Sequence, residues 1–466
     1  MIRYALITHD FRVPCAAEEG LFCGRLGGLE TLDTVMSLGQ KGDKWSFLSA
    51  PPYTLWYDFL SGRPNRAVSA GLMTIETTNE SGLVRLKEKG GYLSVSAQGA
   101  VDVVEGDPER FGDRSMFRLI PWEAFTKLWA VVRQTWSLGP DGEKATVDEW
   151  KSSFRSLKFG SLRVDFDQLC EAIMKQPAPH ELLFMAERNV YRAALYRPGV
   201  LYVVFGDKVL QEFRTSLESL MNPGFYTGEI LVATNLLSEQ IKSVVPPSMR
   251  DQCRIITMSA FDYPDYISTR QTLFSSGVLD DYAPLLYMDG DIAVNSPIEP
   301  NLLRGALERM SSAQLENFNG DFRHSQSNGA VLYSKDPYNL GRTEAGFNTG
   351  VFLVPNVKAQ RHLLDPAFLT NLIYTDMHGR GSIPFHEQSV MNYALRKIDA
   401  FDATLINSVT DVGGDPNSPI VKEYGSMAPE RARGFVHFWC YGGANRSLPM
   451  GNYTRQIRHY RRRKGL

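Results

Sequence analysis

Apolar and polar positions along this chain follow three successive regimes. Up to residue 121, short alternating apolar stretches are broken by Gly and Ser with no sustained helical period, which predicts β structure. Three segments, Arg12–Phe22, Arg66–Ile75 and Gly91–Val101, share an order of apolar pair, Gly-containing polar turn and short strand. Each precedes an alternating strand, at Trp45–Leu48, Leu83–Leu86 and Met116–Leu119. Threefold repetition at roughly forty-residue spacing is what a β-trefoil shows; a plain β-sandwich would use the same strands. From Trp122 onward, apolar residues recur at helical spacing in Trp122–Trp136, Val147–Leu157 and Phe166–Met174, before Pro177 and Pro179, so residues 122–195 are expected to form a helical connector. Beyond Pro198, strand and helix alternate. Val200–Phe205, Glu229–Thr234 and Arg254–Met258 read as buried strands, and Val209–Met221 sets Leu210, Phe213, Leu217 and Leu220 on one helical face. That alternation predicts a Rossmann-like α/β domain over residues 196–450, with its ligand crevice at the carboxyl ends of the strands.

One strand of this last regime carries chemistry. Pro284-Leu-Leu-Tyr-Met-Asp289-Gly-Asp291-Ile-Ala-Val294 runs apolar into two aspartates and then resumes as apolar. Carboxylates beside a core strand are costly without a positive partner. A hard divalent cation, Mn²⁺ or Mg²⁺, takes carboxylate oxygens and leaves positions for phosphate. Gly290 allows backbone to approach a ligand where a side chain would obstruct it. A strand-end turn with surface aspartates remains the alternative on these residues alone.

Composition narrows the function classes. At 466 residues the chain is long enough for two or three domains, and 43% hydrophobic with 22% charged residues is a globular balance. Fifty basic against 52 acidic residues argue against a surface built for nucleic acid. Cys15, Cys23, Cys170, Cys253 and Cys440 have no C-x-x-C spacing, so neither a disulfide framework nor a zinc site is expected. The N-terminus turns polar before a signal-peptide core could form and no later run would span a bilayer, so the expected location is cytoplasmic.

Four motifs in order then resemble glycosyltransferase family 8, the group of glycogenin and the lipopolysaccharide galactosyltransferases. They are the strand ending in Asp289-Gly-Asp291 preceded by Ser268-Thr-Arg270-Gln-Thr-Leu-Phe274, then Gly346-Phe-Asn348-Thr-Gly350-Val-Phe-Leu-Val354, His386-Glu387-Gln388-Ser-Val-Met-Asn392, and Phe435-Val-His437-Phe438. The resemblance covers about residues 198–450. It implies a metal-dependent GT-A fold that transfers a hexose with retention from a nucleotide-sugar, UDP-glucose or UDP-galactose, to a glycan, glycolipid or protein hydroxyl. It further implies that Asp289, Asp291 and His437 ligate the metal, that Arg270, Asn348, Gly350 and Gly290 serve the donor, and that Gln388 and Glu387 lie at the reacting face. The third N-terminal repeat is similar to fascin-like trefoils.

Two departures stand out. Where the family has a lysine that grips the diphosphate, this chain has Trp439-Cys-Tyr-Gly442-Gly443-Ala-Asn-Arg446, so Arg446, with Gly443 in a phosphate-facing turn, is the expected substitute. The first strand ends Phe205-Gly206-Asp207 rather than Ala-Asp, which leaves Asp207 for the nucleobase. Residues 451–466 carry six basic side chains and no acid, a tail suited to an anionic membrane inner face or simply to solubility. A nucleotidyltransferase and a sugar-binding protein without turnover are the competing functions.

Overall fold

The structure is a computed structural model. It describes residues 3–17, 20–28, 34–41, 44–49, 73–78, 82–139, 142–149, 156–175, 181–260, 263–303, 305–308, 310–321, 329–336, 345–413, 432–441 and 446–465. The chain divides into two compact units, Met1–Leu195 and Tyr196–Leu466.

The first unit is built on antiparallel sheets. One contains, in spatial order, Lys44–Ser49, Met36–Lys41, Arg3–Thr8, Phe117–Pro121, Leu83–Glu88, Gly91–Val95 and Val101–Glu105, with Thr74–Thr77 also pairing Leu83–Glu88. Leu6, Leu38, Phe47, Leu86, Leu93 and Phe117 form its core. The strands expected at Trp45, Leu83 and Met116 are all present in this sheet. Most of the second repeat, Arg66–Ile75, lies outside the described residues.

The expected helical connector is corrected. Trp122–Val132 and Phe166–Met174 are helices, but among the described residues of 136–195 seven strands form an antiparallel sheet. Val147–Leu157, read as helical, contains the strand Val147–Glu149 and the start of Ser156–Phe159, which pair with each other. The apolar spacing there is short enough to fit either period. Pairing decides it, because Trp136, Phe159 and Phe184 meet in one aromatic stack, with centroids 6.1 and 4.8 Å apart.

The second unit carries the α/β pattern. Its main sheet runs Cys253–Thr257, Glu229–Thr234, Gly199–Val204, Leu285–Met288, Ala345–Val354, Ser312–Asp321. The first four strands are parallel and the last two antiparallel. Val200, Leu201, Tyr202, Leu285 and Leu286 are fully buried, as strands covered on both faces require. The helix Leu210–Met221 buries Phe213, Leu217 and Leu220 against this sheet, the face expected from its spacing. Each such side chain contributes about 1.5–3 kcal/mol.

After Met288 the chain leaves the main sheet. Ile292–Val294 joins a small three-stranded sheet, antiparallel to Phe435–His437, which in turn runs parallel to Thr410–Val412. The segment read as a basic tail is in fact part of a helix, Ser447–Lys464, that packs on this small sheet through Met450, Tyr453 and Ile457. Asn295 fastens the two together, donating to Tyr453 Oη at 3.0 Å and accepting from Gly434 N at 2.8 Å. Arg458 donates to the carbonyls of Glu218 and Asn222 at 2.7 and 2.8 Å, satisfying the end of the helix Leu210–Met221. No helix among the described residues is long and apolar enough to cross a membrane.

Candidate active site

Pairing brings the two ends of the sequence signature together. Asp289-Gly-Asp291 occupies the turn where the chain passes from the main sheet to the small one, and the register Ile292↔His437 sets the imidazole beside Asp291. One ligand atom from each of Asp289, Asp291 and His437 lies within 4.8 Å of the other two. His437 Nε2 is 3.3 Å from Asp291 Oδ1.

Three observations suit this trio to a divalent ion. Asp291 Oδ1 and His437 Nδ1 are buried without a hydrogen-bond partner, a state native proteins rarely leave unexplained. A Cβ on Gly350 would come within 2.4 Å of His437 Cε1 and 2.9 Å of Asp289 Oδ2, so only glycine permits this close packing. Outer contacts also hold the first ligands, because Tyr287 Oη donates to Asp289 Oδ1 and Asp289 N donates to the Gly350 carbonyl at 2.8 Å. Two carboxylate oxygens and one imidazole nitrogen leave open coordination positions.

The two carboxyls are driven apart electrostatically. Burial pushes Asp289 above its ordinary value; Arg270 opposes that shift and the neighbouring Asp291 reinforces it. Burial also disfavours the Asp291 carboxylate, but His437 and Arg446 outweigh it and hold this group below the usual range.

These side chains border a cleft of about 690 Å³ at the carboxyl ends of the strands, where an open α/β sheet binds ligands. Arg270, Gly290, Asn348, Glu387, Gln388 and Arg446 line it too. Arg270 comes from the helix Tyr263–Ser276 and is almost fully buried. It donates to the Thr349 carbonyl at 2.6 Å and Thr349 Oγ1 at 2.7 Å, stacks on the Tyr287 ring, and pairs with Glu387. Glu387 is thus the counter-ion of Arg270, with its Oε2 left unpartnered.

Glu316, which no motif marked, organises the far wall. This buried carboxylate accepts from Asn348 Nδ2 at 2.8 Å and from Gln388 Nε2 at 3.0 Å. Because a carboxylate only accepts, it fixes the orientation of both amides. Asn348 Oδ1 then accepts from Gly350 N at 2.7 Å and Gln388 Oε1 from Thr349 N at 3.5 Å. The motif residue Asn392 works from behind, bonding both Phe347 N and Phe347 O at 2.8 and 2.7 Å in the short in-register stretch between two slips of strand pairing. Phe385 and His386, just before Glu387, both adopt left-handed backbone angles, φ 56° and 46°. Such strain persists where the surroundings hold it and is common at functional sites.

Three further placements complete the picture. Asp207 sits exposed at the end of Gly199–Val204 and does not border the cleft, whereas Lys208 does. Gly443 lies outside the described residues. Phe205 stacks on Tyr266 with centroids 4.7 Å apart and planes 7° from parallel, giving the cleft a flat apolar wall that sequence reasoning missed.

Three solved structures share a similarity with a little over half of this chain. One is the galactosyltransferase LgtC, as an active-site mutant, with 13% identity over 55% of this chain and 95% of that one at a TM-score of 0.38. LgtC in complex with donor and acceptor sugar analogs gives 13%, the same coverage and a TM-score of 0.37. The apo bifunctional glycosyltransferase WbbM gives 12% identity over 56% of this chain and 51% of that chain at a TM-score of 0.39. No protein-family model and no curated protein matches the sequence.

Proposed function

We propose that the C-terminal unit is a metal-dependent glycosyltransferase that moves a hexose with retention from a UDP-sugar, UDP-glucose or UDP-galactose, to a hydroxyl of a glycan, glycolipid or protein. The observation that carries this reading is the convergence of two carboxylates and an imidazole, with buried ligand atoms unspent, in one cleft at the carboxyl ends of a parallel sheet. Mn²⁺ or Mg²⁺ held by Asp289, Asp291 and His437 would supply Lewis-acid stabilisation of the departing nucleoside diphosphate.

The chain's own residues position the sugar. Arg270 pairs with Glu387, and the unpartnered Oε2 of Glu387 is proposed to accept from a sugar hydroxyl. Glu316 takes up the Gln388 amide N–H and so fixes which end of that side chain accepts, and the carbonyl oxygen, which also accepts from Thr349 N at 3.5 Å, is proposed to face the anomeric carbon. A carbonyl dipole stabilises an oxocarbenium ion without capturing it, which favours attack on the same face as departure. Glu387, engaged by a guanidinium, is a poor covalent nucleophile. Arg446 is proposed to stand in for the family lysine at the diphosphate, whereas Asp207, outside the cleft lining, is given no donor contact. The N-terminal β region, residues 1–121, whose repeats suit a trefoil or a plain sandwich, is proposed to bind carbohydrate. The exposed Arg455, Arg462, Arg463 and Lys464 support contact with an anionic membrane surface, where a lipid-linked acceptor would lie.

Incubation of the full chain with UDP-sugars and Mn²⁺ tests the reading. A glycosyltransferase slowly hydrolyses its donor and releases UDP. Pyrophosphate release from a nucleoside triphosphate would identify a nucleotidyltransferase, and thermal stabilisation without turnover a sugar-binding protein. With neither UDP release nor stabilisation by any UDP-sugar, the assignment fails.

A further inference from the structure

A positive side chain already stands among the candidate metal ligands. The Arg446 guanidinium donates through Nη1 to Asp291 Oδ2, and its Nε donates to the Tyr441 carbonyl at 3.0 Å. Arg446 also attracts the carboxylate of Glu212, in the first turn of the helix Leu210–Met221, and its own carbonyl accepts from Met450 N at 3.1 Å at the start of the helix Ser447–Lys464. Asp291 therefore has one oxygen turned to His437 and the other covered by Arg446. A divalent cation bound to this carboxylate would be placed beside a guanidinium that cannot deprotonate, and the two positive charges would repel across it at short range in a buried site.

We infer that Arg446 is a positioning residue with two successive partners. It neutralises Asp291 while no cation is bound. Once a cation takes Asp291, the guanidinium is displaced, and because the Arg446 backbone is held at the start of the helix Ser447–Lys464, it swings about a fixed point toward the next anion within reach. In the nucleotide-sugar reading, on which this inference rests, that anion is the donor diphosphate. The arrangement makes cation and donor help one another. A cation binding alone must break the Arg446 contact with nothing gained in return, whereas a cation binding with a diphosphate gives the arginine a new partner. Glu212 adds a carboxylate that Asp291 repels and Arg446 attracts, so the guanidinium screens two acids from one another.

Calorimetric titration of Mn²⁺ into the full chain, with and without UDP, tests this. Arg446→Gln removes the competing charge and is expected to bind Mn²⁺ alone about ten- to hundredfold more tightly than wild type, the range a lost charge-assisted hydrogen bond corresponds to. UDP should tighten Mn²⁺ binding in wild type by more than it does in Arg446→Gln. Arg446→Lys keeps the charge and should retain the weak, UDP-responsive binding, which separates charge competition from a packing defect. If Arg446→Gln binds Mn²⁺ alone no more tightly than wild type, while Asp291→Asn abolishes binding, the exchange is refuted and the metal-dependent assignment stands. If neither wild type nor Arg446→Gln takes up Mn²⁺, both fall together.

Discussion

Gly350→Ala is the smallest change that should separate a metal cradle from ordinary packing. The added methyl would lie 2.4 Å from His437 Cε1, about 1 Å inside the 3.4 Å at which ordinary contact begins, and 2.9 Å from both Asp289 Oδ2 and Asn348 Oδ1. The backbone at this position is not left-handed, so the substitution acts through space alone. His437 has little room to yield, being buried in a strand that pairs with Ile292 while its carbonyl accepts from Gly413 N at 2.8 Å. Overpacking of this kind costs about 1–3 kcal/mol of stability. Metal–ligand distances tolerate only about 0.2 Å of error, so an imidazole displaced fivefold further should weaken Mn²⁺ binding by about ten- to a hundredfold, the penalty seen when supporting residues of metal sites are lost. Calorimetric Mn²⁺ titration and urea unfolding read the two effects separately. Gly290→Ala is the matched control, because its methyl would meet nothing nearer than Phe213 N at 3.6 Å and should change stability by no more than about 0.5 kcal/mol. Wild-type Mn²⁺ affinity in Gly350→Ala would refute the cradle.

Four other outcomes are expected. Asp291→Asn should abolish the Mn²⁺-dependent part of the thermal shift given by UDP-sugars, and an unchanged shift would contradict the ligand set. Arg270→Ala strands Glu387 as a buried charge and should lower stability by about 3–5 kcal/mol in urea unfolding, with Glu387→Gln in the same chain recovering part of it; additive losses would deny the pairing. Glu316→Gln can donate as well as accept, so it should lower kcat with little change in Mn²⁺ affinity; equal loss of both would argue for a purely structural role. The Asp289 carboxyl, raised by burial, binds its proton more tightly in the folded than in the unfolded chain. Its contribution to stability is therefore full below the ordinary carboxylate pKa and is lost as pH rises through the raised value. Mn²⁺ needs the ionised form, so the metal-induced rise in Tm should grow over that same window, and a rise independent of pH would exclude Asp289 as a ligand.

What the sequence disclosed, and what it concealed, follows from distance along the chain. The buried strands Val200–Val204 and Glu229–Thr234 and the Phe213–Leu217–Leu220 face were legible because local apolar spacing dictates them. The Asp289–Asp291–His437 trio was legible through motif order, and strand pairing supplies the reason those segments meet. Residues 136–195 misled because their apolar spacing suits a helix or a short strand, and only cross-strand partners distinguish the two. Glu316 was invisible, since it sits beside an irregular strand register and acts on Asn348 and Gln388, 32 and 72 positions away. The Arg270–Glu387 and Arg446–Asp291 pairs span 117 and 155 positions, and no local pattern records such contacts.

The pairing of Ile292–Val294 with Phe435–His437 also fixes an order of events during synthesis. Both aspartates leave the ribosome long before the histidine does, and the strand that presents it must find its partner across most of an already folding unit. An ion therefore cannot nucleate this fold as it does a zinc finger. On the proposed reading it would be acquired afterwards, by a finished scaffold, so starving a growing cell of manganese should leave the protein idle rather than misfolded.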